Sequence, residues 1–208
     1  MVKGELKQFL DRLRLTETHI SAQLDNVLSV ALLIHAYRKG YQGTALFSTG
    51  EEAGRSWRHL LAWFQRKELT TERLLVFDTS PYDTSEDAEK QDIVLRWRDA
   101  NGLFNRQLVG EVLNACKHLK IKRSFKDELL MARNEAREAE GQKPLSLGRT
   151  ELGNLINNTE GQINGATVQF PTTGYHTASE TCALSSVRAM LRLLKYLLKL
   201  QGQPAIVS

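Results

Sequence analysis

Several side chains in this sequence have the chemistry of metal ligands or proton acceptors, and each falls just beyond an apolar run. Asp25 follows "THISAQL", Glu51 and Glu52 follow "GTALFST", and Asp78 follows "RLLVF". His176 follows "GATVQF" across the turn-forming "PTTGY". Adjacent carboxylates such as Glu51 and Glu52 repel, so a site that gathers them needs a positive counterpart. One or two divalent cations would supply it. Oxygen and nitrogen donors without sulfur suit zinc, cobalt or manganese. Taken singly, each residue has a plain alternative: Asp25 as a helix cap, Glu51 and Glu52 as partners of a helix's positive end. As an ordered set they predict a metal centre.

Positioning these residues requires strands and helices in alternation. "ELKQFLDRLRL" places Leu6, Phe9, Leu10 and Leu13 at helical spacing, and "THISAQL" alternates like a strand. "DNVLSVALLIHAYRKG" predicts a helix that Asp25 could cap and Gly40 stops, with Val27, Val30, Ala31, Leu33 and Ile34 as its buried stripe. "GTALFST" predicts a short strand, and "EEAGRSWRHLLAWFQRK" a helix with Trp57, Leu60, Leu61 and Phe64 inward. "RLLVFDTS", "IVLRWRD" and "GATVQF" (the last ended by Pro171) predict further strands, while "PYDTSEDAEKQD" reads as a loop. "LVGEVLNACKHL", "FKDELLMARNEAREAEG", "GRTELGNLI" and "ETCALSSVRAMLRLLKYLLKL" predict helices, the last with Leu184, Val187, Leu191, Leu194 and Leu198 on one face. Such alternation implies an α/β fold: three αβα layers around a central, mostly parallel, mixed sheet, forming one domain over residues 1–208. Open sheets of this class bind ligands at the carboxyl ends of their strands, where the acidic and histidine residues fall.

The bulk properties restrict the function classes. The chain has 208 residues, enough for one large domain, with 41% hydrophobic and 25% charged residues, as in ordinary globular proteins. A net charge of +4 is too small and too dispersed to argue for nucleic-acid binding. "KHLKIKR" reads as a solvated helix end and loop, and "RNEAREAEGQK" mixes both signs without interleaved aromatics. Cys116 and Cys182 lack CxxC spacing and read as small core residues. The start "MVKGELKQF" has no apolar signal-peptide core, and no run is long and apolar enough to cross a membrane, so a cytoplasmic protein is expected.

"LDN" at Leu24 to Asn26, "GEEAG" at Gly50 to Gly54, "FD" at Phe77 and Asp78, and "PTTGYHTASE" at Pro171 to Glu180 resemble the co-catalytic zinc exopeptidases. That superfamily includes glutamyl- and leucyl-type aminopeptidases and the related carboxypeptidases, desuccinylases and aminoacylases. "GRTELG" at Gly148 to Gly153 stands where the family has a glycine-rich Thr-Asp segment. The resemblance runs from about residue 18 to the C-terminus. It implies that Asp25 bridges two metals, that Glu52 and His176 complete one shell, and that Asp78 binds the other metal. It further implies that Glu51 is the general base taking a proton from water during attack on an amide carbonyl, as in peptide or N-acyl amino-acid substrates. Glu180 is left with two readings, an acceptor orienting the His176 imidazole or a cap of the last helix. Tyr175 is expected to be packed rather than to touch substrate.

The same resemblance implies one more histidine on a strand upstream of Asp25, together with a lid or dimerisation domain, and neither has a counterpart here. His19, six residues before Asp25 on one strand, would lie about 20 Å from it and could not share its ion. His35, His59 and His118 read as ordinary helix or surface residues. Two accounts of function follow. One is a metal-dependent hydrolase built on a three-ligand site, alone, as a homo-oligomer, or completed by a partner chain. The other is a catalytically impaired binding or assembly module that keeps the fold.

Overall fold

A computed structural model of the chain describes residues 12–51 and 53–200. The expected opening helix with Leu6, Phe9 and Leu10 lies outside the described residues, and so does Glu52. The elements run β1 (Arg14–Leu15), β2 (His19–Ala22), α1 (Val27–Arg38), α2 (Ser56–Arg66), β3 (Thr71–Pro81), α3 (Ser85–Glu89), β4 (Ile93–Leu95) and α4 (Arg106–His118). They continue with β5 (Arg123–Phe125), α5 (Lys126–Ala139), α6 (Glu151–Asn158), β6 (Ile163–Thr172), β7 (Glu180–Ala183) and α7 (Leu184–Leu197).

The main sheet has the order β3-β6-β4-β5, with β3 parallel to β6, β4 parallel to β5, and β4 antiparallel to β6. Strand β6 is central and buried along nearly all its length, as its unbroken run "ATVQFP" requires of a strand covered on both faces. Ile93, Leu95, Val168 and Phe170 of the sheet pack against Val112, Ala115 and Cys116 of α4 and Ala189, Met190 and Leu193 of α7. Leu60 and Phe64 of α2 pack instead against Leu155 of α6 and Ile163 of β6. The result is the α/β, layered, mixed and mostly parallel architecture that the alternation of elements predicts. A second, antiparallel sheet of order β1-β2-β7 joins the main core through Ala22, Leu24 and Cys182.

Several local expectations are corrected. "GTALFST" is not a strand. Leu46 packs against the α2 core, the Ser48 hydroxyl donates to Glu151 Oε1 at 3.0 Å, and Phe47 is 52% exposed. A strand needs a hydrogen-bonding neighbour, and apolar composition does not reveal whether one exists. Glu51 does not open α2, which starts at Ser56 with no acidic residue in its first turn. Helix α1 buries Leu28, Ser29 and Ala36, leaving Val30 and Ile34 of the expected stripe exposed. Its sequence is apolar on both sides, so packing rather than periodicity selects the inward face. "ETCA" forms β7 and not the first turn of the last helix. Strand β6 runs one residue past Pro171, α3 forms inside the expected polar loop, and Arg123–Phe125 pairs as β5.

Candidate functional site

Asp25 sits in the turn that joins β2 to α1, and two contacts fix that turn from outside. The Asn26 side-chain amide donates to the Phe77 carbonyl at 2.7 Å, tying it to β3. The main-chain N–H groups of Leu24 and Asp25 donate to Glu180 Oε2 at 3.2 and 3.0 Å, tying it to β7. The Asp25–Asn26 peptide is cis. Asp25 thus reaches the rim of the main sheet from the small antiparallel sheet, not from the end of a parallel strand.

Asp78 lies on β3 opposite Gln169 of β6. Its Oδ1 accepts from the Thr79 N–H at 2.8 Å and its Oδ2 from Gln169 Nε2 at 3.2 Å. Gln169 is held in turn by Arg96, whose Nε donates to Gln169 Oε1 at 2.9 Å. Burial is the main cause that pushes the Asp78 carboxyl up, to about 7, and the charges of Asp25 and then Glu51 add to it. The hydrogen bonds from Thr79 and Gln169 oppose the rise and do not cancel it. This places the Asp25 and Glu51 carboxylates within electrostatic reach of Asp78.

His176 stands in the loop between β6 and β7. Gly174 and His176 both take left-handed backbone conformations, φ 67° and 59°. A Cβ at Gly174 would come 3.2 Å from the Ser179 carbonyl oxygen, so the tight approach favours glycine. Thr177 Oγ1 donates to the Gly174 carbonyl at 2.6 Å, and Thr173 bridges Thr181 across the foot of the loop. The loop delivers His176 Nε2 to 3.7 Å from Asp25 Oδ2. The Tyr175 ring stacks on the imidazole, with centroids 3.7 Å apart.

As donors these residues suit a divalent cation. Two ligand atoms at tetrahedral zinc distances are about 3.3 to 3.5 Å apart, close to the observed spacing of Asp25 and His176. Among the described residues, however, no group of three or more His, Cys, Asp or Glu side chains could hold a metal ion. Glu52, the expected third ligand beside Asp25 and His176, lies outside those residues. Glu51 sits in an exposed turn closed by the Gly54 N–H donating to the Glu51 carbonyl at 2.7 Å.

His19 is engaged elsewhere: its Nε2 pairs with Glu89 Oε1 at 3.0 Å. Glu180 takes neither of its expected roles, because it lies in β7 and accepts from the Leu24 and Asp25 main chain. Sequence reasoning missed Gln169 and Arg96, and it quoted Asn26 only within "LDN", without a role. Gln169 carried a readable signal, a polar residue near the carboxyl end of an otherwise apolar buried strand. Arg96 carried none.

No family model matches the chain, and no curated protein matches it. Solved structures do. An aminopeptidase from the archaeon Desulfurococcus kamchatkensis superposes with a TM-score of 0.64 over 94% of this chain and 55% of its own, at 11% identity. The TET1 peptidase of Pyrococcus horikoshii, which can assemble into a tetrahedron or a large octahedral shell, gives 0.60 over 89% and 52%, at 16% identity. Aminopeptidase I from Clostridium acetobutylicum gives 0.58 over 91% and 46%, at 12% identity. The chain shares the α/β fold of these peptidases. The chain spans about half the length of the structures it matches. Within this fold Asp78 lies on β3, Gln169 on β6 and His176 in the β6–β7 loop.

Proposed function

We propose that the chain is a metal-dependent hydrolase of the aminopeptidase or amidohydrolase type, acting on a peptide or N-acyl amino-acid bond. The observation that carries this reading is the approach of His176 Nε2 to Asp25 Oδ2, with Asp78 raised by the charges of Asp25 and Glu51. Asp25, Glu52 and His176 would hold one zinc ion, or cobalt or manganese, and Asp78 with Asp25 would hold a second. When bound, such an ion lowers the pKa of water and polarises the scissile carbonyl. Glu51 accepts the proton of the attacking water and returns it to the leaving nitrogen. The Tyr175 ring, stacked on His176 and 39% exposed, borders the place where a substrate would lie.

The test pairs elemental analysis of metal per chain with hydrolysis of aminoacyl, N-acyl amino-acid and dipeptide substrates in the presence of zinc, cobalt or manganese. Bound metal with hydrolysis that chelators abolish supports the reading. Metal-free protein after reconstitution, with no turnover, removes it.

A second reading is an impaired binding or assembly module of the same fold. It draws on the same likeness of fold, which at 11% and 16% identity does not carry activity with it. The long β3 stands at the edge of the main sheet, where a second copy or a partner chain could add a strand. Turnover of any of the substrates above at enzyme-like rates ends this reading. Turnover that appears only on mixing with a second chain assigns the partner.

A further inference from the structure

Glu180 is fully buried, at 0% exposure, yet it is a carboxylate. A polar group in that setting is costly unless it is hydrogen-bonded, and here one of its two oxygens is. Its Oε2 accepts from two consecutive main-chain N–H groups, those of Leu24 and Asp25. Those groups belong to the turn that presents the Asp25 side chain. Glu180 is also the first residue after the loop that carries His176, and the Thr173–Thr181 bridge closes that loop beside it. The Glu180 N–H donates to the Thr177 carbonyl at 3.3 Å, bracing the loop from within. One residue therefore touches both backbone segments whose side chains meet at 3.7 Å.

We propose that Glu180 is a positioning residue: by clamping the Leu24–Asp25 main chain onto the foot of the His176 loop, it sets the distance between the Asp25 carboxylate and the His176 imidazole. Resting on the metal-site reading above, it thereby sets how tightly that pair binds a divalent cation. Glu180 touches neither the ion nor the substrate in this scheme. It acts through the backbone of one ligand and the loop of the other.

The experiment uses the full chain and two variants. Glu180→Met keeps the volume and removes both acceptors, while Glu180→Gln keeps one acceptor oxygen. The first readout is the NMR ring resonances of His176 in metal-free protein, which report its neighbour directly. The second is zinc affinity by calorimetry, with the visible spectrum of the cobalt-loaded protein as a signature of ligand geometry. Glu180→Met is expected to shift the ring resonances, alter the cobalt spectrum and weaken zinc binding roughly 10- to 100-fold, as loss of an outer-shell partner does. Glu180→Gln is expected to fall between it and the wild type. Unchanged ring resonances in folded Glu180→Met overturn the proposal, and so does unchanged zinc affinity where the wild type binds zinc. If Glu180→Met does not fold, folded Glu180→Gln is read the same way, and identity with the wild type in both measurements overturns it. A wild type that takes up neither zinc nor cobalt overturns the metal reading instead, and the metal-free ring resonances then decide the role of Glu180.

Discussion

Gln169 Nε2 donates both to Asp78 Oδ2, at 3.2 Å, and to the Thr79 carbonyl, at 2.9 Å. The amide is thereby oriented, and its oxygen is left to accept from buried Arg96, itself anchored on the Leu147 carbonyl at 2.6 Å. A cation, a neutral amide and a carboxylate form one line from the core to the rim. The neutral link lets Arg96 act on Asp78 without occupying it, so both carboxylate oxygens keep acceptor capacity toward an ion. Gln169→Leu deletes this link and strands one donor of a 7% exposed guanidinium. Loss of hydrogen bonds to charged groups is expected to cost about 2 to 3 kcal/mol in urea unfolding. Zinc affinity is expected to fall as well, because Asp78 loses its orientation. An unchanged urea midpoint would show that Arg96 and Asp78 are held by other means.

The raised Asp78 carboxyl gives the metal-free protein a specific pH dependence. Its folded value of about 7 lies above the reference value of 3.8, so between these limits the folded state binds the extra proton. Stability then falls as pH rises through that window, and the loss is complete above it. Asp127 and Glu180 are also pushed up, mainly by burial, and act with the same sign. Metal-stripped protein is therefore expected to show a lower urea midpoint at pH 7.5 than at pH 5, the reverse of ordinary acid denaturation. Asp78→Asn should reduce the difference, and added zinc should raise the midpoint at pH 7.5 by mass action. A midpoint that rises with pH in stripped protein would mean that Asp78 is ionised at little cost.

Much of this was legible in the sequence, for identifiable reasons. The order of β3, β4, α4, α5, α6, β6 and α7 followed from periodicity, whereas α3, β5 and β7 read as loop or helix. "GATVQF" is apolar enough to read as the buried strand it forms, and "RLLVF" as a strand, although in β3 it is only partly buried. The candidate site was legible as a set of residue types after apolar runs, and Asp25 and His176 do meet. The route by which they meet was not legible. Asp25 arrives from a small sheet whose closing strand, "ETCA", has the composition of a helix start. Register and partner choice decide such segments, and both depend on residues distant in sequence. The same limit applies to "GTALFST", whose strand character goes unused for want of a neighbour, and to α1, whose two apolar sides left its inward face undetermined. Gln169 shows the opposite case, a local anomaly in a strand that could have been read as part of the site.

The left-handed turn under His176 gives a prediction about geometry. Gly174 takes φ 67° with the Ser179 carbonyl oxygen close to where a Cβ would sit. Gly174→Ala is expected to cost about 1 to 2 kcal/mol from the backbone conformation. The strain falls on the loop that aims the imidazole, so zinc affinity should drop along with stability. A stability loss without any change in zinc binding would show that His176 is placed independently of the turn.

Glu51 offers the sharpest separation of binding from chemistry. It sits in the turn before α2, and its charge reaches Asp78. A group that only accepts and returns a proton can be neutralised without removing a ligand. Glu51→Gln preserves shape and hydrogen-bonding capacity but no longer takes a proton. Loss of a general base is expected to reduce kcat roughly 100- to 10,000-fold. Zinc content per chain should stay at the wild-type value, and the Asp78 carboxyl should fall because one neighbouring negative charge is gone. The stripped variant is therefore expected to lose less stability between pH 5 and pH 7.5 than the stripped wild type. If Glu51→Gln loses metal along with activity, Glu51 is a ligand and not a base. If it keeps both metal and full activity, the proton goes elsewhere, and the base must be sought among the other carboxylates at the rim.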